Sequence, residues 1–328
     1  WGGTDYDQGC GCGVYDQLPT DGCDDVCGST LENDACDVCG GPGESECWDG
    51  SMECDENDCP SESNSIDYCL NLHVGANLKS FYALPEDVLV SSVMSGLGTD
   101  VTGVITEGGA CSQISLGVWV GSQCSIEPKR GYWIISIYDD ELCIEDAVPT
   151  DSDIEYTLHS GANLISFPSA GSVGVGDALP DDIEGSVSGV ITEGGACNQI
   201  SSGTWVGSQC YFNCTYGYWM IIQEDLSFVF NGCDEISCPH TPVAREKSQY
   251  IAVTPIGYEF NQSTMQAFYF VEDIENIEIG GWILAYNGEK IIGARQWRGS
   301  IIDVPAMGND GNNYSAGYME AGDTPHFK

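Results

Sequence analysis

Eighteen cysteines and 51 acidic side chains are the residues of this 328-residue chain with the most chemistry to offer. Nine of the cysteines fall in the first 65 residues, spaced Cys10-x-Cys12, Cys23-x3-Cys27, Cys36-x2-Cys39, Cys47-x6-Cys54 and Cys54-x4-Cys59. Thiols in Asp/Gly-rich loops either form disulfides or hold a soft metal. A zinc-thiolate site normally shows two well-spaced CxxC pairs, or cysteine with histidine, and this stretch has neither. Disulfides are therefore the favoured reading and zinc the competing one. The cysteine number is even and allows up to nine bridges, which points to an oxidised, extracellular chain.

The same stretch is rich in oxygen ligands on glycine turns: Asp21, Asp24, Asp25, Asp34, Asp37, Asp49, Asp55 and Asp58. A hard cation such as calcium suits them. None of these runs matches the twelve-residue EF-hand loop, so bound calcium and solvated acidic loops stand as two open readings.

Reactive constellations are missing elsewhere. There is no HExxH, GxSxG, Walker loop or dinucleotide fingerprint, and Gly171-Ser-Val-Gly-Val-Gly176 lacks the Lys-Ser/Thr that a phosphate loop needs. The pairs Asp139-Asp140 and Asp181-Asp182 resemble a hydrolase dyad, but pairs are expected by abundance in so acidic a chain. His73 and His159 each precede a Gly turn and read as partly buried strand residues. The chain is expected not to be an enzyme. Three sequons, at Asn213, Asn261 and Asn313, are candidate surface acceptors for N-glycosylation.

The elements that must position these residues follow from a duplication. GVITEGGAC occurs at 103–111 and again at 189–197, 86 positions later. His73-Val-Gly-Ala-Asn-Leu answers His159-Ser-Gly-Ala-Asn-Leu, Trp119-Val-Gly-Ser-Gln-Cys124 answers Trp205-Val-Gly-Ser-Gln-Cys210, and Gly131-Tyr-Trp answers Gly217-Tyr-Trp. Between 73–133 and 159–219, 30 of 61 positions are identical without a gap. Short alternating runs and frequent Gly and Ser make each copy a small β-module, with room for short helical turns near 85–95 and 176–184. Cys111 with Cys124 and Cys197 with Cys210 recur at the common offset, so each pair is expected to close a loop inside its own module. Cys69 and Cys143 flank the first copy and are a further candidate pair.

The expected fold class is all-β: tandem small β-sandwich or barrel modules preceded by a disulfide-rich, loop-dominated acidic region. Four segments follow: an acidic, disulfide-stapled region (1–65), β-repeat 1 (66–149), β-repeat 2 (150–238) and a C-terminal β-domain (239–328). The last contains six of the nine basic residues and a hairpin signal around Asn287-Gly288, which suits a type I′ turn.

A formal charge of −42 repels nucleic acid and anionic membranes, so both are poor partners. At 42% hydrophobic and 18% charged, the chain does not have a disordered composition. No apolar run approaches the roughly 20 residues that cross a bilayer. The chain begins at Trp1 rather than Met and reads as a mature or partial chain whose leader is gone.

Residues 161–168, Gly-Ala-Asn-Leu-Ile-Ser-Phe-Pro, with Gly-x-Trp-Val-Gly-Ser and Gly-Tyr-Trp after them, resemble a repeat of large secreted proteins of marine and sediment bacteria. That repeat usually reads Gly-Trp-Asn-Leu-Ile-Ser, and Ala76 and Ala162 stand here in place of its Trp. Cys36-Asp-Val-Cys-Gly-Gly is similar to Asp-rich Cys-Gly-Val-Cys-Gly-Gly repeats of such proteins, and Gly293-Ala-Arg-Gln-Trp297 with Val304-Pro-Ala-Met-Gly and Gly317-Tyr-Met resembles a further module of the same chains. The resemblance implies a modular cell-surface or shed protein, brings no catalytic residues, and implies a last module that continues past Lys328.

The functional expectation is a non-enzymatic extracellular structural protein, a subunit of a filament, sheath or surface layer assembled head to tail from copies of itself. Arg245, Lys247, Lys290, Arg295, Arg298 and Lys328 lie late in the chain, whereas no cation precedes Lys79. The acidic start of one copy would meet the C-terminal domain of the next, with Trp1–Tyr6 as a strand to add to an open edge. The alternative is an adhesin or carbohydrate-binding part of a larger secreted protein. Trp119, Trp205, Trp282 and Trp297 are its candidate sugar-stacking faces, and β-core packing is their competing role.

Overall fold

The computed structural model describes residues 22–47, 51–55, 58–59, 65–231 and 254–328, and the chain divides into compact units at 1–64 and 65–328. The described part of the first unit has almost no apolar interior. Val26, Leu31, Val38 and Met52 are all exposed, and Cys47 alone is a buried hydrophobic residue there. Disulfides take the place of a core, joining Cys23 to Cys39, Cys36 to Cys54 and Cys47 to Cys59 around a two-stranded ladder of Ser45–Glu46 and Met52–Glu53. Cys36 and Cys39 thus belong to two different bridges, which removes the zinc reading.

The second unit is all-β, and its first two modules are superimposable in topology. Repeat 1 has a five-stranded antiparallel sheet in the spatial order Gly75–Lys79, Tyr132–Ser136, Val101–Thr106, Gly109–Ser115, Val118–Gly121. Repeat 2 builds the same sheet from Gly161–Ile165, Tyr218–Ile222, Val187–Thr192, Gly195–Ser201 and Thr204–Gly207, each strand 86 positions on. In repeat 1 a second sheet (Ile66–Leu72, Asp140–Pro149, Ala83–Leu84) covers the first. Leu70, Leu142 and Ile144 from one sheet meet Val104, Tyr132 and Ile134 from the other in a sandwich-like core. Repeat 2 fills the matching space with Phe167, Phe212, Phe228 and Phe230, packed mostly edge to face. The helical turns are short: Val90–Val93 in repeat 1, Val175–Ala178 and Asp181–Glu184 in repeat 2.

The bridges Cys111–Cys124 and Cys197–Cys210 each span 13 residues and tie the central strands to the loop that follows the edge strand. Cys69 and Cys143 lie directly opposite each other in the second sheet of repeat 1 and are bridged. Closing that 74-residue loop lowers the entropy of the unfolded chain by an amount worth about 4 kcal/mol in the chain-entropy model. These bridges belong to an oxidising environment. Among the described residues no helix is long and apolar enough to cross a membrane.

The C-terminal module pairs Gln266–Val271 with Ile302–Met307 and adds a sheet ordered Lys290–Gln296, Trp282–Asn287, His326–Phe327. Its own core holds Ile283, Ile292, Trp297, Val304 and Met307. The hairpin differs from expectation by one residue. Asn287 still pairs with Lys290, so the two turn residues are Gly288 and Glu289, and of these only Gly288 has positive φ. That is the pattern of a II′ turn rather than I′.

A fourth cluster belongs to neither repeat alone. Ala76, Leu78, Trp133 and Ile135 of repeat 1 bury themselves against Leu164 of repeat 2, with Trp219 beside them. Around it the outer strand of each five-stranded sheet hydrogen-bonds the other repeat in a reciprocal way. Gly131 donates to the Leu164 carbonyl and Gly217 to the Leu78 carbonyl, both at 3.2 Å. Ser166 donates to Lys129 and Ser80 to Thr215, again both at 3.2 Å. Glycine is required where the backbones approach. A Cβ on Gly217 would lie 2.8 Å from the Lys79 carbonyl oxygen, and one on Gly131 would lie 2.8 Å from that of Ile165. Gly217→Ala and Gly131→Ala are therefore each expected to cost about 1–3 kcal/mol by overpacking. Gly96→Ala, which meets nothing within 4 Å, should be neutral or slightly stabilising. Urea denaturation of the three variants measures this difference.

Candidate functional site: the module joints and their cleft

The repeated nonapeptide folds as a hairpin whose tip, Glu107-Gly108 or Glu193-Gly194, carries a left-handed glycine and an outward glutamate. The repeated His-x-Gly-Ala-Asn-Leu folds as the turn into the outer strand, with Gly75 and Gly161 at positive φ. Asn77 locks that turn: its Oδ1 accepts from the His73 backbone amide at 2.8 Å and its Nδ2 donates to the His73 carbonyl at 2.9 Å. Asn163 does the same for His159.

The two motifs then meet across the duplication. Glu193 of repeat 2 accepts from His73 Nε2 at 2.6 Å and from the Leu78 amide at 2.9 Å, both in repeat 1. Glu107 of repeat 1 accepts from His159 Nε2 at 2.7 Å and from the Leu164 amide at 2.9 Å, both in repeat 2. Each clasp thus uses the same three groups, a glutamate carboxylate, a histidine Nε2 and a strand amide. The histidines were expected to be partly buried strand residues; each lies just past a strand, His73 half-buried and His159 exposed, and together they are half of an inter-repeat clasp.

The clasp has a charge state. Nδ1 of each imidazole faces a backbone carbonyl at 2.8 Å, that of Val74 or Ser160, while Nε2 faces a carboxylate. Both ring nitrogens therefore confront acceptors, and only the imidazolium can donate to both. Burial disfavours charge on His73, but the Glu193 charge and hydrogen bond outweigh it and the pKa is raised. His159 is raised by its bonds to the Ser160 carbonyl and to Glu107. Burial likewise opposes the Glu193 carboxylate, yet Lys79, 3.7 Å away, and His73 hold its pKa down to about 2. The two clasps are not equal. Lys79 has Ile165 as its counterpart, so Glu107 has no lysine, and its pair with His159 is the more exposed one.

A third joint fixes the C-terminal module to repeat 2. Asp303, fully buried, accepts from the Ala196 amide at 3.1 Å, from the Ser208 amide, and from the Ser208 hydroxyl at 2.9 Å. Arg295 lies 2.9 Å from the same carboxylate and donates to the Gly194 carbonyl. Gln266 adds a bond to the Thr192 carbonyl at 3.1 Å. A buried carboxylate with one guanidinium and three donors is a satisfied ion rather than a reactive one.

These joints enclose a cleft of about 360 Å³, with His73 and Asp139 from repeat 1, Glu193 and Gln209 from repeat 2, and Gln262, Trp282, Gln296 and Arg298 from the C-terminal module on its walls. An indole face surrounded by amides, a carboxylate and a guanidinium is a surface to which a polar ring can stack and hydrogen-bond.

The remaining candidates fall elsewhere. Asp21 and Asp49 lie outside the described residues. Asp24 and Asp34 serve local turns: Asp24 accepts from Val26, and Asp34 accepts from Cys36, Val38 and Gly43, the Val38 bond foremost in holding its pKa down. Asp25 and Asp37 occupy left-handed backbone, which aspartate tolerates, and Asp55 and Asp58 are exposed. Among the described residues no three of these carboxylates converge on one point; the one cluster of metal-ligand type is Cys69, Glu141 and Cys143, whose two cysteines are bridged to each other. Asn261 and Asn313 are exposed, while Asn213 is half-buried beside the inter-repeat joint. Trp297 is core, Trp119 and Trp205 pack against the repeat cores, and of the four only Trp282 lines the cleft. Sequence reasoning missed Glu107, Glu193 and the Arg295–Asp303 pair. The glutamates carried a signal, as the one charged residue in the repeated nonapeptide; Asp303 carried none.

Comparison with known proteins finds no matching family model, no matching curated protein and no matching solved structure.

Glu193→Ala should cost about 3–5 kcal/mol, because Lys79 is left as a buried unpaired charge. Glu107→Ala should cost about 1–3 kcal/mol, mainly for the Leu164 amide left without an acceptor. Histidines with raised folded pKa values contribute stability that is complete below the unfolded value near 6.5 and is lost as pH rises through the folded values. Glu193 contributes above its unfolded value of 4.5, and that contribution is lost as pH falls through about 2. Urea midpoints should therefore decline on the alkaline side, and a His73→Gln/His159→Gln double variant should abolish that decline.

Proposed function

We propose that this chain is a non-enzymatic extracellular structural protein, a subunit of a filament, sheath or surface layer that associates head to tail. The observation that carries this reading is the reciprocal clasp. The recurring His and Glu are consumed in joining one module to the next, with the recurring Asn bracing the turn that presents the His, which is the use a multi-module spacer makes of a duplication. The disulfide-stapled acidic region and the oxidising environment support export. Calcium held by the acidic loops of residues 1–64 remains part of this proposal, on the chemistry of their oxygen ligands.

One of the late cations cannot serve a head-to-tail contact. Arg295 is an internal ion pair and is not available to a neighbouring copy. Lys290 and Lys328 lie over the Tyr318 and Tyr286 rings, while Arg245, Lys247 and Trp1–Tyr6 lie outside the described residues. The contact surface is better sought in the modules than in a cation cluster.

The cleft favours a second reading, an adhesin or carbohydrate-binding part of a larger secreted protein, with Trp282 as the stacking face and Asp139 and Arg298 beside it. Negative-stain microscopy of the native protein at neutral pH with calcium separates the two. Filaments or sheets are the expected result. Uniform monomers at high concentration, together with glycan-array binding lost in Trp282→Ala, would establish the second reading instead.

A further inference from the structure

The charge balance of the cleft runs against that of the chain. Overall, 51 acidic residues face 9 lysines and arginines. On the cleft walls the carboxylates are Asp139 and Glu193, and the cations are His73, Arg295 and Arg298. Glu193 is matched by His73 and by Lys79 behind it, Arg295 is matched by Asp303, and Asp139 accepts from the Val74 amide at 3.1 Å. Four cations thus meet three carboxylates, and three of the nine Lys and Arg side chains of the chain are gathered at one cleft. Arg298 is exposed. Burial lowers the Arg295 pKa and the nearby charge of Arg298 lowers it further, with Asp303 opposing both. Neighbouring guanidiniums repel each other, which favours an added anion beside the exposed one.

The same wall offers a flat apolar face. Trp282 stands directly opposite Gln296 in the hairpin, so indole and amide share one side of it, and Arg298 lies two residues on. The Tyr258 ring, 6.4 Å from the indole, braces it. Gln296 donates to the Gly280 carbonyl at 3.0 Å, which fixes an amide whose oxygen can accept from a hydroxyl. We infer that the cleft takes an anionic sugar, a pyranose ring stacked on Trp282 with its carboxylate or sulfate ester held by Arg298. Both acid groups present oxygens that a guanidinium fork grips in charge-assisted hydrogen bonds. His73 contributes charge but no bond, because both of its ring nitrogens are engaged. The formal charge of −42 does not forbid such a ligand. Screening at physiological ionic strength limits the reach of each charge to about 8 Å, so an anion in the cleft responds to the walls around it. The inference rests on the carbohydrate-binding reading and narrows it to acidic sugars.

The test titrates the full-length protein by calorimetry at physiological ionic strength. The probes are oligomers of glucuronate, galacturonate and mannuronate with their neutral methyl esters, and a sulfated galactose oligomer with its desulfated form. At least one acidic probe should bind, and its neutral form should bind about tenfold more weakly, the loss of one charge-assisted contact. Arg298→Gln should lower the affinity for the acidic probe to that for the neutral one, with the urea midpoint unchanged. Trp282→Ala should abolish binding of both, and Trp282→Tyr, which keeps a stacking face, should retain it. Binding of a uronate alone identifies the carboxylate as the acid group, and binding of the sulfated oligomer alone identifies the sulfate ester; either supports the inference. Equal affinity for acidic and neutral forms, lost in Trp282→Ala, would overturn the inference and keep the carbohydrate-binding reading. Absence of binding by every probe would overturn both.

Discussion

The arrangement of residues 65–328 depends on one ion-assisted exchange between the repeats. A hairpin tip in each module places a glutamate where it accepts from the other module's strand amide and histidine. The exchange needs two backbones at contact distance, which explains glycine at 131 and 217. It also needs a dry seam, which Leu78, Trp133 and Leu164 supply. Without the glutamates, two strand amides would be buried with no acceptor, and the seam would be unfavourable to close. Apolar contact supplies most of the attraction, and the ion pairs fix which surfaces meet and in what register.

The same physics recurs at the third module with different residues. There the acceptor is Asp303, brought in by another fold, and the donors lie on the hairpin and loop of repeat 2. The hairpin tip is therefore a general connector: its glutamate reaches one neighbour, while its backbone and the adjoining serine receive another. Repeat 2 uses both faces of its tip. A duplicated module with a two-faced connector is compatible with the structural role proposed above.

Much of the fold was legible in the chain itself. The 86-residue offset predicted identical sheets because hydrophobic alternation and turn glycines recur together, and every strand of the five-stranded sheets obeys it. Cys111 and Cys197 share one environment for the same reason. The joints were not legible. A histidine ahead of a Gly turn carries no mark of its partner, since Glu193 is 120 residues from His73 and only three-dimensional placement unites them. Asp303 sits in an Asp-rich chain and looks like every other carboxylate until burial singles it out. The turn at Gly288 was misread by one residue because an Asn-Gly pair is compatible with two registers, and the flanking strands choose between them.

Native-state hydrogen exchange tests the central claim most directly. If the clasps make the two repeats one cooperative structure, the amides of Leu78 and Leu164, which donate to the glutamates across the seam, should exchange only with global unfolding, at the same free energy as core amides such as Ile134 and Met220. Exchange of Leu78 and Leu164 through a separate, lower-energy opening while both repeat cores stay protected would contradict it, and would make the seam an incidental contact between independent modules.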